Sequence, residues 1–125
     1  EDIDIPFTLP SLLQNAGVSF AISTDEFWQV RNLPFHAGTA AGHGLTKEQA
    51  LQSITASPAK VLGIYDRVGS LEKGKDATLV ISSGDILDMK TSVIEMAFIR
   101  GKQIDTDNIQ SQLNRKFRKK YGLSQ

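Results

Sequence analysis

Asp25 is the residue of this chain best placed to do chemistry. It closes the run Val18-Ser19-Phe20-Ala21-Ile22-Ser23-Thr24-Asp25, in which apolar and small residues give way to polar ones. That is the pattern of a buried parallel strand ending in a carboxylate. Ligands and catalytic groups of α/β sheets and barrels collect at such carboxyl-terminal strand ends. An ionised carboxylate there can act as a hard oxygen donor to zinc or a similar ion, or as a general base toward a water. Thr24-Asp25 could equally cap a helix or a turn, and the residues alone leave both roles open.

The neighbours of Asp25 are mixed. Trp28, Arg31 and Asn32 follow closely, where a substrate-recognition loop would lie. Arg31 could grip a substrate carboxylate through a two-pronged contact, or rest on the surface over an aromatic ring. The two histidines, His36 and His43, are seven residues apart on one expected helix. That spacing separates them by about 10 Å, too far for one ion, and structural roles are expected for both. A three-ligand site would need Asp25, His36 and a further carboxylate to converge. Gly69 to Asp76 lacks the spacing and the lysine-serine/threonine ending of a phosphate loop.

The elements that must hold these residues are legible from caps and periodicity. Residues 1–6 read as a leading loop, and Thr8 as the cap of a short helix that has Pro10 in its first turn and Gly17 at its end. Glu26 to Asn32 reads as a loop, and Pro34 opens a helix running to about His43. Gly38 and Gly42, four apart on that helix, would admit another element at close range. Thr46-Lys47-Glu48-Gln49 is a capping box, and Ser57-Pro58 restarts a helix that stops at Gly63. Strands are expected within Asp76 to Ser82 and over Ile94 to Ile99, the latter turning at Arg100-Gly101-Lys102. A last helix, capped by Asp105 or Asp107, carries Ile109, Leu113, Phe117 and Tyr121 along one face.

Bulk composition narrows the partners. With 125 residues, 40% of them hydrophobic, the chain can form one ordinary globular domain. Fourteen basic residues balance fourteen acidic ones, so no overall charge points to nucleic acid, and no run is long enough for a membrane span. The basic residues among Arg115 to Lys120 read as the solvated end of a helix, complementing its dipole. Neither a nucleic acid nor a membrane is therefore expected as a partner. Cysteine is absent, which excludes disulfides and thiolate chemistry. The chain opens on Glu1 rather than methionine, consistent with a processed protein or a piece of a longer one.

Three segments taken together carry a resemblance: Ala56 to Ile64, Asp66 to Leu71, and Gly74-Lys75-Asp76-Ala77-Thr78-Leu79-Val80. With Gly84 to Asp88, Ile99 to Lys102, Asn32 to Phe35 and Gly44 to Thr46 in the expected order, the chain resembles the carboxyl-terminal part of the metal-dependent amidohydrolase superfamily. The branch it resembles most is the imidazolonepropionase-like and prolidase-like one, over about Pro6 to Ile104. The resemblance implies an α/β fold: the last strand and helices of a (β/α)8 TIM-type barrel over residues 1–66, the carboxyl-terminal part of a small β-sandwich over 67–104, and a final basic helix over 105–125. Val18 to Ile22 would be the eighth barrel strand and Asp25 the strand-end aspartate, a metal ligand that also takes a proton from the attacking water. Trp28, Arg31 and Asn32 would contact a small-molecule substrate.

Such a barrel needs about 250 residues. The family's His-x-His pair, bridging lysine and two further histidines belong to earlier strands and are not in this chain. The family's strand-end aspartate is usually followed by a small residue, histidine or proline, whereas Glu26-Phe27-Trp28 follows here. The implied function is hydrolysis of a carbon–nitrogen bond in an amide or cyclic amide, with zinc or another divalent metal bound by the parent protein and none by this piece alone. The piece would be inactive in isolation, and ordered by the remainder of the parent chain or by another copy. The alternative is a non-catalytic relative used for binding or scaffolding.

Overall fold

The computed structural model describes residues 3–123 as an α/β chain with helices first and a three-stranded sheet after them. Helix α1 spans Ile5–Asn15, a 3-10 helix spans Phe27–Asn32, and α2, α3 and α4 span Leu33–Gly42, Lys47–Ser53 and Ala56–Val61. Strands β1 (Leu79–Ser82), β2 (Ile94–Ile99) and β3 (Lys102–Ile104) pair antiparallel in chain order, and α5 (Ile109–Lys120) follows.

Several sequence expectations shift here. α1 begins before Thr8: Asp4 takes the cap position and Pro6 sits in the first turn, where its missing N–H costs nothing. Thr8 lies inside the helix and its Oγ1 donates to the Ile5 carbonyl. The expected loop over 1–6 is thus helical from Ile5, while Glu1 and Asp2 lie outside the described residues. Thr55, not Ser57, holds the cap position of α4, and Ser57-Pro58 fall in its first turn. α5 is capped by Asn108, whose side chain accepts from the Ser111 N–H; Asp107 instead accepts from Arg115. The capping box at Thr46 forms in both directions, Gln49 N–H to Thr46 Oγ1 and Thr46 N–H to Gln49 Oε1.

The largest departure is Val18 to Ile22, which belongs to no sheet. The segment lacks a ladder partner; its backbone ties are at its two ends, Val18 N–H to the Leu13 carbonyl and Ile22 N–H to the Ser53 carbonyl, each 3.0 Å. A strand exists only through its neighbours' N–H and C=O groups, and among the described residues no strand pairs with it. Phe20 and Ile22 still turn inward onto the core, as alternation requires.

That core is small in volume and built on alanine: Ala37, Ala40, Leu45, Ala50 and Leu87 are buried, with Ile54 and Ile86 packed against them. Small side chains let backbones come close, and Gly38 shows it directly. A Cβ built there would lie 2.1 Å from the Leu87 carbonyl oxygen, so the 85–87 segment crosses α2 in direct backbone contact. Gly42 meets nothing within 4 Å, so only the first of the two glycines serves the close approach. Asp85 pins the crossing: one carboxylate oxygen accepts from the Leu87 N–H at 3.0 Å and the other from Lys47 Nζ at 2.6 Å.

The signature segments join the two halves in a similar way. Gly69 adopts φ +95° against α4, where a Cβ would lie 2.7 Å from Ala59 Cβ. Lys75 Nζ, with its side chain 10% exposed, sits 3.5 Å from the centre of the Tyr65 ring and donates to Ser70 Oγ. Ser70 and then Lys75 hold the Glu72 carboxyl below the ordinary range. Arg100 (φ +50°) and Gly101 (φ +80°) form the two-residue β2–β3 turn, both positive as a type I′ hairpin requires. Gly101 N–H donates to the Ala77 carbonyl, tying the turn back to the approach to β1.

Gly38→Ala is expected to destabilise the protein by about 1–3 kcal/mol through overpacking. Gly42→Ala should be neutral or stabilising by up to about 1 kcal/mol, since it replaces a helical glycine facing open space. Urea denaturation midpoints check both. Asp85 is held below its ordinary pKa of 3.8, first by Lys47 and then by the Leu87 N–H. A depressed carboxylate stabilises the fold above its unfolded pKa and loses that contribution as pH falls through the folded value. Lys47 is raised above 10.5 by the same partner, so its contribution is lost only at more alkaline pH. Asp85→Asn keeps the acceptor for Leu87 but removes the charge. It should reduce the acid-side loss of stability below about pH 4, read by urea titration at stepped pH.

Candidate active site

Gly17, at φ +70°, ends α1 and turns the chain into the extended segment that carries Asp25. The inward positions of that segment are spent on Phe20 and Ile22, which leaves the polar end Ser23-Thr24-Asp25 at the rim of a cleft of about 510 Å³. Asp25 and His36 both line this cleft and both are exposed. α1 contributes Phe7 and Pro10, and α2 contributes His36 and Thr39. Asp25 makes no hydrogen bond or ion pair with any described residue. Its carboxylate is open to an incoming group.

The structure therefore brings together Asp25, Glu26 and His36 around one cleft, but not as a ligand cage. Among the described residues no group of three or more His, Cys, Asp or Glu side chains could hold a metal ion. This chain offers a hard oxygen donor and an imidazole at the rim, and a complete metal site would need donors from outside it. His43 has a packing role. Its ring centre lies 5.3 Å from that of Phe7, and its Nδ1 is 2.8 Å from the Thr39 carbonyl, which requires the proton on Nδ1.

Trp28, Arg31 and Asn32 are not on the cleft. The segment expected as a loop is a 3-10 helix, in which side chains three apart eclipse one another. Glu26, Gln29 and Asn32 fall on one line of that period, and Trp28 and Arg31 on another. Glu26 and Gln29 reach the cleft, and Asn32 Nδ2 donates to Gln29 Oε1 at 2.9 Å behind them. Trp28, 71% exposed, packs edge-on against Phe27 and not against a site residue. Gln29 is the polar residue that sequence reasoning missed. Its signal was the three-residue spacing from Glu26, readable only once the helix type is known. The ion pairs with displaced pKa values, Lys47–Asp85 and Asp107–Arg115, do not line this cleft; Lys47 and Asp85 border a second one of about 450 Å³ beside Phe35 and Met89.

Comparison with known proteins identifies the family. Residues 7–104 match the Amidohydrolase family. Imidazolonepropionase from Flavobacterium psychrophilum is 30% identical over an alignment of 112 positions that covers 82% of this chain and 27% of that protein. The crystal structure of an amidohydrolase from Thermotoga maritima superposes with a TM-score of 0.74 at 38% identity, covering 79% of this chain and 26% of the other. An adenosine deaminase from Xanthomonas campestris with bound zinc superposes with a TM-score of 0.59 at 25% identity, covering 92% of this chain and 34% of that one. The chain thus spans roughly a quarter to a third of the length of these relatives. With the family matched from Phe7 to Ile104, through the Asp25 cleft and the whole sheet, this chain belongs to the amidohydrolase family.

Proposed function

We propose that this chain is the carboxyl-terminal part of a metal-dependent hydrolase that cleaves a carbon–nitrogen bond in an amide or cyclic amide. Residues 1–66 would supply the last strand and helices of a (β/α)8 barrel, residues 67–104 the closing part of a small β-sandwich, and residues 105–125 a terminal helix. The observation that carries this reading is Asp25: a carboxylate that has, among the described residues, no partner, at the end of a segment with no strand neighbour, on the rim of the cleft. A strand missing both neighbours and an acid missing its co-ligands are what the last piece of a barrel looks like by itself.

A divalent ion, zinc on the precedent of the Xanthomonas campestris deaminase, would supply an activated water when bound. Asp25 is the residue of this chain that would donate an oxygen to the ion and accept a proton at its carboxylate. His36 and Gln29, on the same cleft, would face the substrate, whereas Arg31 and Trp28 lie off it and would reach a substrate only beyond its rim. The isolated chain lacks the other donors and is expected to be inactive. The competing reading is a non-catalytic relative that uses the site for binding. Glu26-Phe27-Trp28, with Phe27 82% exposed beside the acid, favours it.

Metal analysis of the complete parent protein separates the two readings: about one to two equivalents of zinc or a like ion support hydrolysis, and none after reconstitution rejects it. In that protein Asp25→Asn should lower kcat/KM for the amide substrate by about 10²–10⁴-fold. The same substitution should move the unfolding free energy by no more than about 0.5 kcal/mol, because Asp25 is exposed and bonds to none of the described residues. A large loss of stability would instead make Asp25 a structural cap.

A further inference from the structure

We infer that α5 is an interfacial helix that docks the protein on an anionic lipid surface. The family match ends at residue 104 and α5 begins at Ile109, so α5 lies outside the matched span. α5 packs against no other helix or strand among the described residues. Its ordered tether is Arg115 Nη2, which donates to Asp107 Oδ2 at 2.6 Å.

The balanced charge of the whole chain conceals a segregation. Residues 109–123 hold five of the fourteen basic residues and none of the fourteen acids, which leaves nine bases against fourteen acids elsewhere. A helix face that is merely solvated usually mixes both signs. The apolar side is equally one-sided. Ile109, Leu113, Phe117 and Tyr121 are 64%, 43%, 46% and 66% exposed, and Phe117 stacks on Tyr121. At 100° per residue they sweep an arc of about 120°. Lys116 and Lys120 project near the Ile109 edge of that arc, where long stems can lie along apolar surface with their amines outward. Arg115, Arg118 and Lys119 occupy the polar side.

A strongly cationic polar face, low overall hydrophobicity and an aromatic-bearing apolar face describe a helix that lies in a bilayer interface. It does not cross one: no described helix is long and apolar enough. The lipid surface is favoured over other occupants because it uses both faces at once. A nucleic acid would engage the cations and leave the apolar stripe bare. A coiled-coil partner would want a heptad seam, whereas four-residue spacing drifts around the helix. Sequence reasoning took the basic run only as a complement to the helix dipole; the exposed stripe and the lack of packing ask more of it.

The test is co-sedimentation of the intact protein with vesicles of phosphatidylcholine alone or with about 30% phosphatidylglycerol. Binding should be at least about 10-fold stronger on the anionic vesicles, and most of that gain should vanish near 0.5 M salt. Two variants at exposed positions, Leu113→Ala with Phe117→Ala and Lys116→Gln with Lys119→Gln, should each weaken it by about 5-fold or more. Far-UV circular dichroism confirms that the fold survives. Equal binding to both vesicles, or anionic binding that neither variant weakens, overturns the inference. So does a preference for duplex DNA that depends on the lysines but not on Phe117, or self-association in solution that the Phe117 variant abolishes.

Discussion

The contact on which the rest depends is the crossing of the Leu87 backbone over Gly38. The helices before residue 62 and the strands after residue 78 do not pack on one another as elements. They are held by loops: the 85–87 segment laid on α2 and Gly69 laid on α4. Both are backbone approaches that a single methyl group would block, and both rest on alanine or glycine, with Leu87 the one large side chain buried at the first. The Lys47–Asp85 pair lies beside the first of these crossings and fixes where it occurs.

A fold assembled this way has little interior of its own. The residue with the largest fully buried side chain is Ser53, while Leu9, Leu12, Val18, Val61, Leu62 and Ile99 are each roughly half exposed or more. Burial of apolar surface is the main favourable term in folding, at about 25 cal/mol per Å². Apolar side chains spread along α1, the Val18 segment, α4 and the sheet are therefore surfaces waiting for cover. The same deficit recurs in hydrogen bonding, since the Val18 to Ile22 backbone is tied only at its ends, Val18 to Leu13 and Ile22 to Ser53, and has no ladder among the described residues. Packing and hydrogen bonding fail at the same segment, and that segment carries Asp25.

Where a pattern was local, it was legible in the sequence. The Thr46 box, Pro34 in the first turn of α2, the ends of α1 and α4 at glycine, and β2 over Ile94–Ile99 depend on residues within a few positions of each other. What could not be read depended on partners or on period. Val18 to Ile22 has the composition of a buried strand, but pairing is a property of two chains of atoms and only one is present. The Glu26 to Asn32 turn winds with period three, so the residues chosen for chemical interest, Trp28 and Arg31, point away from the line that Glu26 and Gln29 bring to the cleft. The downstream signature was legible as a motif, yet its residues stand in the structure as staples: Gly69 on Ala59, Lys75 under Tyr65, Asp76 between Arg67 and Arg100.

That division bears on where function resides in this molecule. The residues that make the chain recognisable stabilise the junction between helices and sheet, and none of the three signature segments contributes to the Asp25 cleft. The cleft is lined instead by α1, the extended segment, the 3-10 helix and α2, whose packing leaves Asp25 and His36 exposed on its rim. The signature staples and the cleft therefore lie in different parts of the sequence, although the family match spans both. A relative could keep the Gly69 and Lys75 staples, and with them the fold, while the residues after Asp25 change. Phe27 and Trp28, 82% and 71% exposed and packed edge-on against each other, stand where substitution can vary the surface beside Asp25 without touching the junction that holds the chain together.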